Sequence, residues 1–357
     1  MNKQNSTYKS VSWFEGKPII LFCGDTFLRT QDGVDPFGLV RSYYTDSQVC
    51  INLETSLKGA REKKKKISLT MSENALDMIP DTVRIVSLVN NHVSDSGNPA
   101  KLVHALERRG KVVVGPGNPS VAHMTLGRRQ VDFFSAYFNL PRLRVSYNGT
   151  KADALERLLL KSGAQRKIVN LHWGYEHTDV PAPFQRELAH RLVDAGADII
   201  IGHHPHVPQG WEIYKGVPIF YSLGNFNFWQ FDGETTEANR WGYMIVYELT
   251  SGDVKPVPYR INDNYQPFSV SGEEENHLML QIQRLSETIS EIDDQRWFTN
   301  EHATWYKSEM KVWKHQCLGR FSPVLWLKWI AWLCLPMQLK YYAYALRLRM
   351  CSIRRRQ

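Results

Sequence analysis

Cysteine is scarce. Cys23, Cys50, Cys317, Cys334 and Cys351 are the five in 357 residues, and no two of them form a C-x-x-C pair. An odd count without that spacing argues against a disulfide framework and against a cysteine zinc site. The first residues, MNKQNSTYKSVSWFEGKPIILFCGD, lack the apolar run of a signal peptide, and the first apolar stretch, Pro18 to Cys23, reads as a strand. The expectation is a cytoplasmic location, or the cytoplasmic face of a membrane. Excess charge is missing from most of the chain. Of 44 Lys/Arg and 36 Asp/Glu, residues 298–357 hold 11 and 2, leaving 33 and 34 for the rest. A near-neutral body disfavours nucleic-acid binding. No internal repeat is visible. With 43% apolar and 22% charged residues the composition is that of a globular protein.

What is present is alternation. From residue 17 to residue 250, short apolar runs alternate with amphipathic stretches, the pattern of an α/β domain. Helices are expected over Pro99–Arg109, Lys151–Ser162 and Phe184–Ala195, with Gly110 and Gly196 just past two of their ends. Residues 251–272 are rich in turn formers and read as a final strand and linker. From 273 to 357 the pattern becomes helical, and the region is basic and aromatic-rich. REKKKK, Arg61 to Lys66, reads as a solvated loop or as a lip that steers a polyanion.

The ends of the apolar runs carry the chemistry. IILFCGD ends at Asp25, and VCINLE reaches Asn52 and Glu54. IVSLVNNH ends at Asn91 and His92. IVNLHWGYEH reaches His172, Glu176 and His177. DIIIGHHPH ends in His203, His204 and His206, and IFYSLGNF reaches Asn225. Ligands of open α/β sheets bind at the carboxyl ends of strands. Six runs that each finish in a metal-binding or proton-moving group therefore point to one shared site. Carboxylate, amide oxygen and imidazole together suit Mn²⁺, Zn²⁺ or iron. A carboxylate-bridged pair of such ions can activate water and stabilise a developing oxyanion. Gly24, Gly202 and Gly224 are expected to let the backbone turn sharply beside the site. Each residue alone has a plainer reading: Asp25 as a turn cap, Glu54 as a lysine's partner, the histidines as a hydrogen-bonded core cluster.

The ordered set GD at 24–25, NLE at 52–54, NNH with Asp95, HWGYEH at 172–177, GHHPHV at 202–207 and YSLGNF at 221–226 resembles the CapA family of capsule and poly-γ-glutamate biosynthesis proteins. The resemblance covers residues 17–250. It implies a calcineurin-like metallophosphatase fold, a layered α/β/β/α sandwich, here with a C-terminal helical extension. It also implies two divalent transition-metal ions, Mn, Zn or Fe. By resemblance Asp25, Glu54 (as the bridge), Asn91, His172, His204 and His206 are the metal ligands. The resemblance makes His92 the general acid or the group that polarises the scissile bond, with Asp95 as its orienting partner. Asn52, Glu176, His177, His203 and Asn225 bind substrate or support the ligands. Phe27 stands where many metallophosphoesterases have a histidine, which leaves one metal with a ligand fewer. Phe226, Phe228, Trp229 and Phe231 read either as a wall of the cleft or as core.

The C-terminal run Val324–Leu335 is shorter than the ~20 residues of a spanning helix, Lys328 interrupts it and Pro336 ends it. Trp326, Trp329 and Trp332 with Arg347 and Arg354–Arg356 suit a helix in the membrane plane, or a helical subdomain packed on the body. The expected function is a metal-dependent hydrolase with a phosphoesterase-type site, acting in capsule, poly-γ-glutamate or exopolysaccharide production. Its expected partners are an anionic polymer or phosphoester and a membrane surface or synthase complex, with no nucleic acid. The alternative is a non-catalytic accessory subunit that holds the polymer for a membrane synthase or export complex.

Overall fold

The computed structural model describes residues 14, 16–28, 34–43, 48–59, 68–138, 149–228 and 236–291. The REKKKK stretch, Trp229, Phe231 and the basic tail lie outside these residues. In chain order the strands are β1 (Ile19–Thr26), β2 (Gln48–Leu53), β3 (Ser56–Leu57), β4 (Thr70–Met71), β5 (Val83–Ser87), β6 (Val112–Val114), β7 (Ser120–Leu126) and β8 (Arg129–Tyr137). They continue as β9 (Arg166–His172), β10 (Ile199–His203), β11 (Trp211–Tyr214), β12 (Val217–Phe220), β13 (Asn225–Asn227), β14 (Trp241–Glu248), β15 (Val254–Ile261) and β16 (Pro267–Ser269). The α-helices are α1 (Gly38–Tyr43), α2 (Pro99–Glu107), α3 (Gly149–Lys161), α4 (Pro183–Asp194) and α5 (Glu273–Glu291).

Two sheets form. The first runs β16-β15-β14-β1-β2-β5-β6, with β13 added alongside the end of β1. The second runs β11-β12-β10-β9-β8-β7. Their central strands are parallel and buried on both faces, so side chains alternate between two cores. In β1, Ile20 and Phe22 point to the core between the sheets, which Phe133, Ile168, Ile199 and Ile201 of the second sheet also enter. Leu21 and Cys23 point the other way, towards a core shared with Leu39 and Val40 of α1 and Leu102 and Leu106 of α2. Outside the second sheet, Val169 and Ile200 pack against Leu155 of α3 and Leu188 and Leu192 of α4. Helix, sheet, sheet, helix is the layered α/β/β/α sandwich that the resemblance implies.

Local signals account for the helices. Asn98 caps α2 by accepting from the Ala100 N–H at 3.1 Å, and Pro99 occupies the first turn, where its missing N–H costs nothing. Gly110 and Gly196 follow α2 and α4 at φ +72° and +101°, the left-handed conformation expected of them.

Residues 251–272, expected as a final strand and linker, instead supply β15 and β16 to the first sheet. Pro256, Pro258 and Pro267 suggest a linker, yet each lies within a strand of an antiparallel ladder near the sheet edge, where proline is tolerated. The expected helical region begins with α5, which seats Leu278 and Ile282 in the core between the sheets. Among the described residues, no helix is long and apolar enough to cross a membrane.

Candidate metal centre

Parallel pairing sets the strand ends side by side. In the first sheet Asp25 of β1 is in register with Asn52 of β2 and with Asn225 of β13. In the second sheet His203 of β10 is in register with His172 of β9. β1 is irregular on both sides of Asp25, where the pairing register shifts. Such bulges re-aim a side chain at a sheet's end.

Asp25 and Glu54 are fully buried and share one donor. The Asn52 amide lies 2.8 Å from Asp25 Oδ1, 3.2 Å from Glu54 Oε1 and 3.3 Å from His172 Nδ1. Asp25 Oδ1 also meets His203 Nδ1 at 3.1 Å, and Oδ2 accepts from the His204 backbone N–H at 3.0 Å. His206 Nδ1 lies 3.3 Å from Asp25 Oδ2 and 3.0 Å from Asn225 Oδ1. His172 Nε2 lies 2.8 Å from Asn91 Oδ1. The His172 and His204 rings are 4.5 Å apart, centroid to centroid. His177 stands 6.4 Å from His206 in the same measure. His92 Nδ1 pairs with Asp95 Oδ2 at 2.7 Å, and that oxygen also accepts from the Leu69 N–H.

The electrostatics follow from burial and crowding. Burial opposes the charge on Asp25, but hydrogen bonds from His203 and His206 outweigh it and hold its pKa well below the ordinary range. Glu54 goes the other way: burial, and then the charge of Asp25, push it well above. Burial lowers His204 to about 3 and His177 to about 4, so both are neutral near pH 7. Burial also opposes the charge on His206, but the carboxylates of Glu54 and Asp25 raise it to about 10. The backbone is strained at the same place. His177, His204 and His206 have φ of 59°, 100° and 58°. Left-handed conformations at such residues cost ~1–3 kcal/mol each and persist where the surroundings enforce them, often at functional sites.

Two features fit these residues to cations. Glu54 Oε2 and His204 Nδ1 are buried and have no hydrogen-bond partner among the described residues, a costly state unless something else satisfies them. In addition, donor atoms of Asp25, Glu54 and His172 lie within 4.8 Å of one another, and so do those of Glu176, His204 and His206. The oxygen and imidazole donors match the expected class of ion. Glu176, expected to bind substrate or to support the ligands, thus joins a donor group of its own.

A model of the family described as bacterial capsule synthesis protein PGA_cap matches residues 19–230. The chain belongs to that family. Capsule biosynthesis protein CapA of Bacillus anthracis is 32% identical over 238 residues, 58% of this chain and 58% of that protein. PGA biosynthesis protein CapA of Bacillus subtilis is 54% identical over 68 residues, 19% and 18% of the two chains. A probable polyglutamine synthesis accessory protein of Mycobacterium tuberculosis is 29% identical over 211 residues, 51% of this chain and 56% of that protein. The match with the Bacillus anthracis relative thus spans just over half of that protein's length. Among solved structures, a hypothetical protein from Thermus thermophilus is similar at 19% identity and a TM-score of 0.46, over 68% of this chain and 99% of that one. A putative 5'-nucleotidase from Staphylococcus aureus, solved with α-ketoglutarate, is similar at 17% identity and a TM-score of 0.39, over 74% and 58%.

In this PGA_cap chain the fold brings together every expected residue except His92 and Asp95, which form a buried pair of their own. Asn90 accepts from the His92 N–H at 3.0 Å and donates to Asn52 Oδ1 at 3.4 Å, so that pair adjoins the site. Two of the three glycines act differently from expectation. A Cβ on Gly24 would strike the Gly224 carbonyl, and one on Gly202 the Tyr221 carbonyl, so both permit close backbone approach rather than a turn. Only Gly224, at φ +76°, serves a turn. Phe226 is core, packed on Phe37 and Tyr259. Phe228 lies against the site, 4.4 Å from the His206 ring. Phe27, in place of the missing histidine, packs against Phe228.

The sequence reading missed two residues. Asn90 donates to the Leu53 carbonyl at 2.9 Å and accepts from the His92 N–H at 3.0 Å, tying the second and third motifs together. Tyr137, at the end of β8, meets the His172 ring edge-on. The rule that found the others, the last residue of an apolar run, would have found Tyr137 in VDFFSAY.

Proposed function

We propose that the chain is a metal-dependent hydrolase with a phosphoesterase-type site, acting in the production of a capsule, poly-γ-glutamate or an exopolysaccharide. The observation that carries this reading is the convergence of two donor groups, one fully and one partly buried, with unsatisfied Glu54 and His204 atoms, on the ends of strands from both sheets. Two divalent transition-metal ions suit them. Asp25, Glu54 and His172, with Asn91 beside His172, would hold one, and His204, His206 and Glu176 the other. When bound, such ions supply Lewis acidity that stabilises negative charge developing on oxygen.

The chain's own residues do the rest. Asn52 holds the Asp25 and Glu54 carboxylates in place with one amide. His203 and the His204 backbone N–H orient Asp25, and Asn225 orients His206. Asp95 fixes the His92 ring through Nδ1, and Nε2 would deliver a proton to the leaving group. The substrate proposed is an anionic polymer or phosphoester. The basic, aromatic tail is proposed to bring the protein to an anionic membrane surface or a membrane synthase complex.

His92→Ala should lower turnover of a phosphoester or γ-glutamyl substrate by ~100-fold or more, with metal content unchanged. Unchanged turnover would remove His92 from its role. The printed name of the Mycobacterium tuberculosis relative, an accessory protein, favours a second reading: a polymer-holding subunit without turnover. Under that reading the protein co-purifies with membrane proteins and hydrolyses neither kind of substrate.

A further inference from the structure

The row of strand ends that carries His203 and His172 continues one strand further. In the second sheet Tyr137 of β8 stands in register with His172, as His172 stands with His203. Its ring meets His172 edge-on at 5.4 Å between centroids and His204 at 6.5 Å. It thus borders one imidazole from each of the two donor groups. The residue is half-buried, at the edge of the cluster rather than inside it.

One side chain engages both of its main-chain groups. Asn118 Nδ2 donates to the Tyr137 carbonyl at 2.8 Å, and Asn118 Oδ1 accepts from the Tyr137 N–H at 3.0 Å. An amide that satisfies both main-chain groups of one residue fixes the point from which its ring projects, as a recognition residue requires. Lys151, in the first turn of α3, donates to the same carbonyl at 3.5 Å, and its ammonium lies 5.9 Å from the ring centroid.

The neighbours make a donor necessary here. Asp25, Glu54 and Glu176 offer only acceptors when ionised. An anionic group brought to them is repelled unless donors and positive charge face it as well. A phenol carries its proton at neutral pH and donates strongly to a charged acceptor. We propose that Tyr137 orients the anionic group of the substrate, its hydroxyl donating to an oxyanion set against the two donor groups while Lys151 adds positive charge on the same wall. The inference rests on the reading that those groups hold cations and take an anionic substrate. The shared chemistry is an oxyanion, from either a phosphoryl group or a carboxylate of a polymer.

The test uses the full chain loaded with Mn²⁺, as wild type, Tyr137→Phe and Lys151→Met. Metal stoichiometry is measured first, then the affinities for inorganic phosphate and for a short γ-linked glutamate oligomer by calorimetric titration. Tyr137→Phe keeps the ring against His172 and His204 and removes only the donor. It should hold the same metal and bind at least one probe about 10-fold more weakly. Lys151→Met should lose about 3-fold. The probe whose affinity falls identifies the source of the oxyanion. Unaltered affinity of Tyr137→Phe for every probe that wild type binds would overturn the inference alone, as would metal-loaded wild type that binds neither. Wild type that takes up no metal would overturn the underlying reading, and the inference with it.

Discussion

Two buried glutamates in this molecule have pKa values shifted in opposite directions, and the difference lies in their donors. Glu54 and Glu248 are 0% and 1% exposed. Glu54 has one amide to share with Asp25 and an Oε2 without a partner, and burial drives its pKa well up. At Glu248, burial acts in the same direction, but the Ser251 backbone N–H and hydroxyl and the Thr250 N–H outweigh it, and the pKa falls to about 2. Glu248 is therefore a structural carboxylate, whereas Glu54 has too few donors to offset its burial. A pKa depressed in the folded state contributes stability above the unfolded value, ~4.3, and that contribution is lost as pH falls towards about 2. Glu248→Gln should cost about 1–3 kcal/mol at pH 7. The gap between variant and wild type should close as pH drops from ~4.5 towards ~2, as followed by urea titration. A gap independent of pH would contradict the assignment. At this scale the sequence disclosed the titratable groups because carboxylates and imidazoles stand out at the ends of apolar runs. It did not disclose Asn90 or Tyr137, whose roles depend on which strand lies next to which.

Strands deliver the site, and their spacing explains why small residues recur beside it. Gly202 in β10 lets that strand approach the Tyr221 carbonyl, to which Trp173 Nε1 donates at 3.0 Å. Gly202→Ala should displace that carbonyl, break the tryptophan's hydrogen bond and lower stability by ~2 kcal/mol or more. Gly163→Ala, with open space around its Cβ, should change stability by less than ~0.5 kcal/mol. Thermal unfolding of the pair checks this, and equal melting temperatures would contradict the close-approach account. The element pattern was legible wherever strands are buried on both faces, because continuous apolar runs between glycine and polar turns leave little choice. α2 and α4 ended within two residues of expectation. β15 and β16 were obscured by prolines, which signal a linker in sequence and sit on a sheet edge in the structure.

The whole molecule places two half-sites opposite each other. The first sheet supplies Asp25, Asn52 and Asn225, and the second supplies His172 and His203. Neither sheet alone assembles both donor groups: Asp25, Glu54 and His172 join across the two sheets, whereas Glu176, His204 and His206 all follow strands of the second. Membership of the PGA_cap family accounts for residues 19–230. The basic, aromatic C-terminal region extends beyond that match, and past Glu291 it lies outside the described residues. The central claim concerns the donor groups themselves, and the metal content of the purified chain tests it most directly, with Asp25→Ala and His204→Ala alongside. The account predicts about one to two transition-metal ions per wild-type chain and a loss in both variants, since each removes an atom from a different group. Wild type that holds no metal, even after incubation with Mn²⁺ or Zn²⁺, would contradict it, and the histidines would then be a polar cluster in a binding protein.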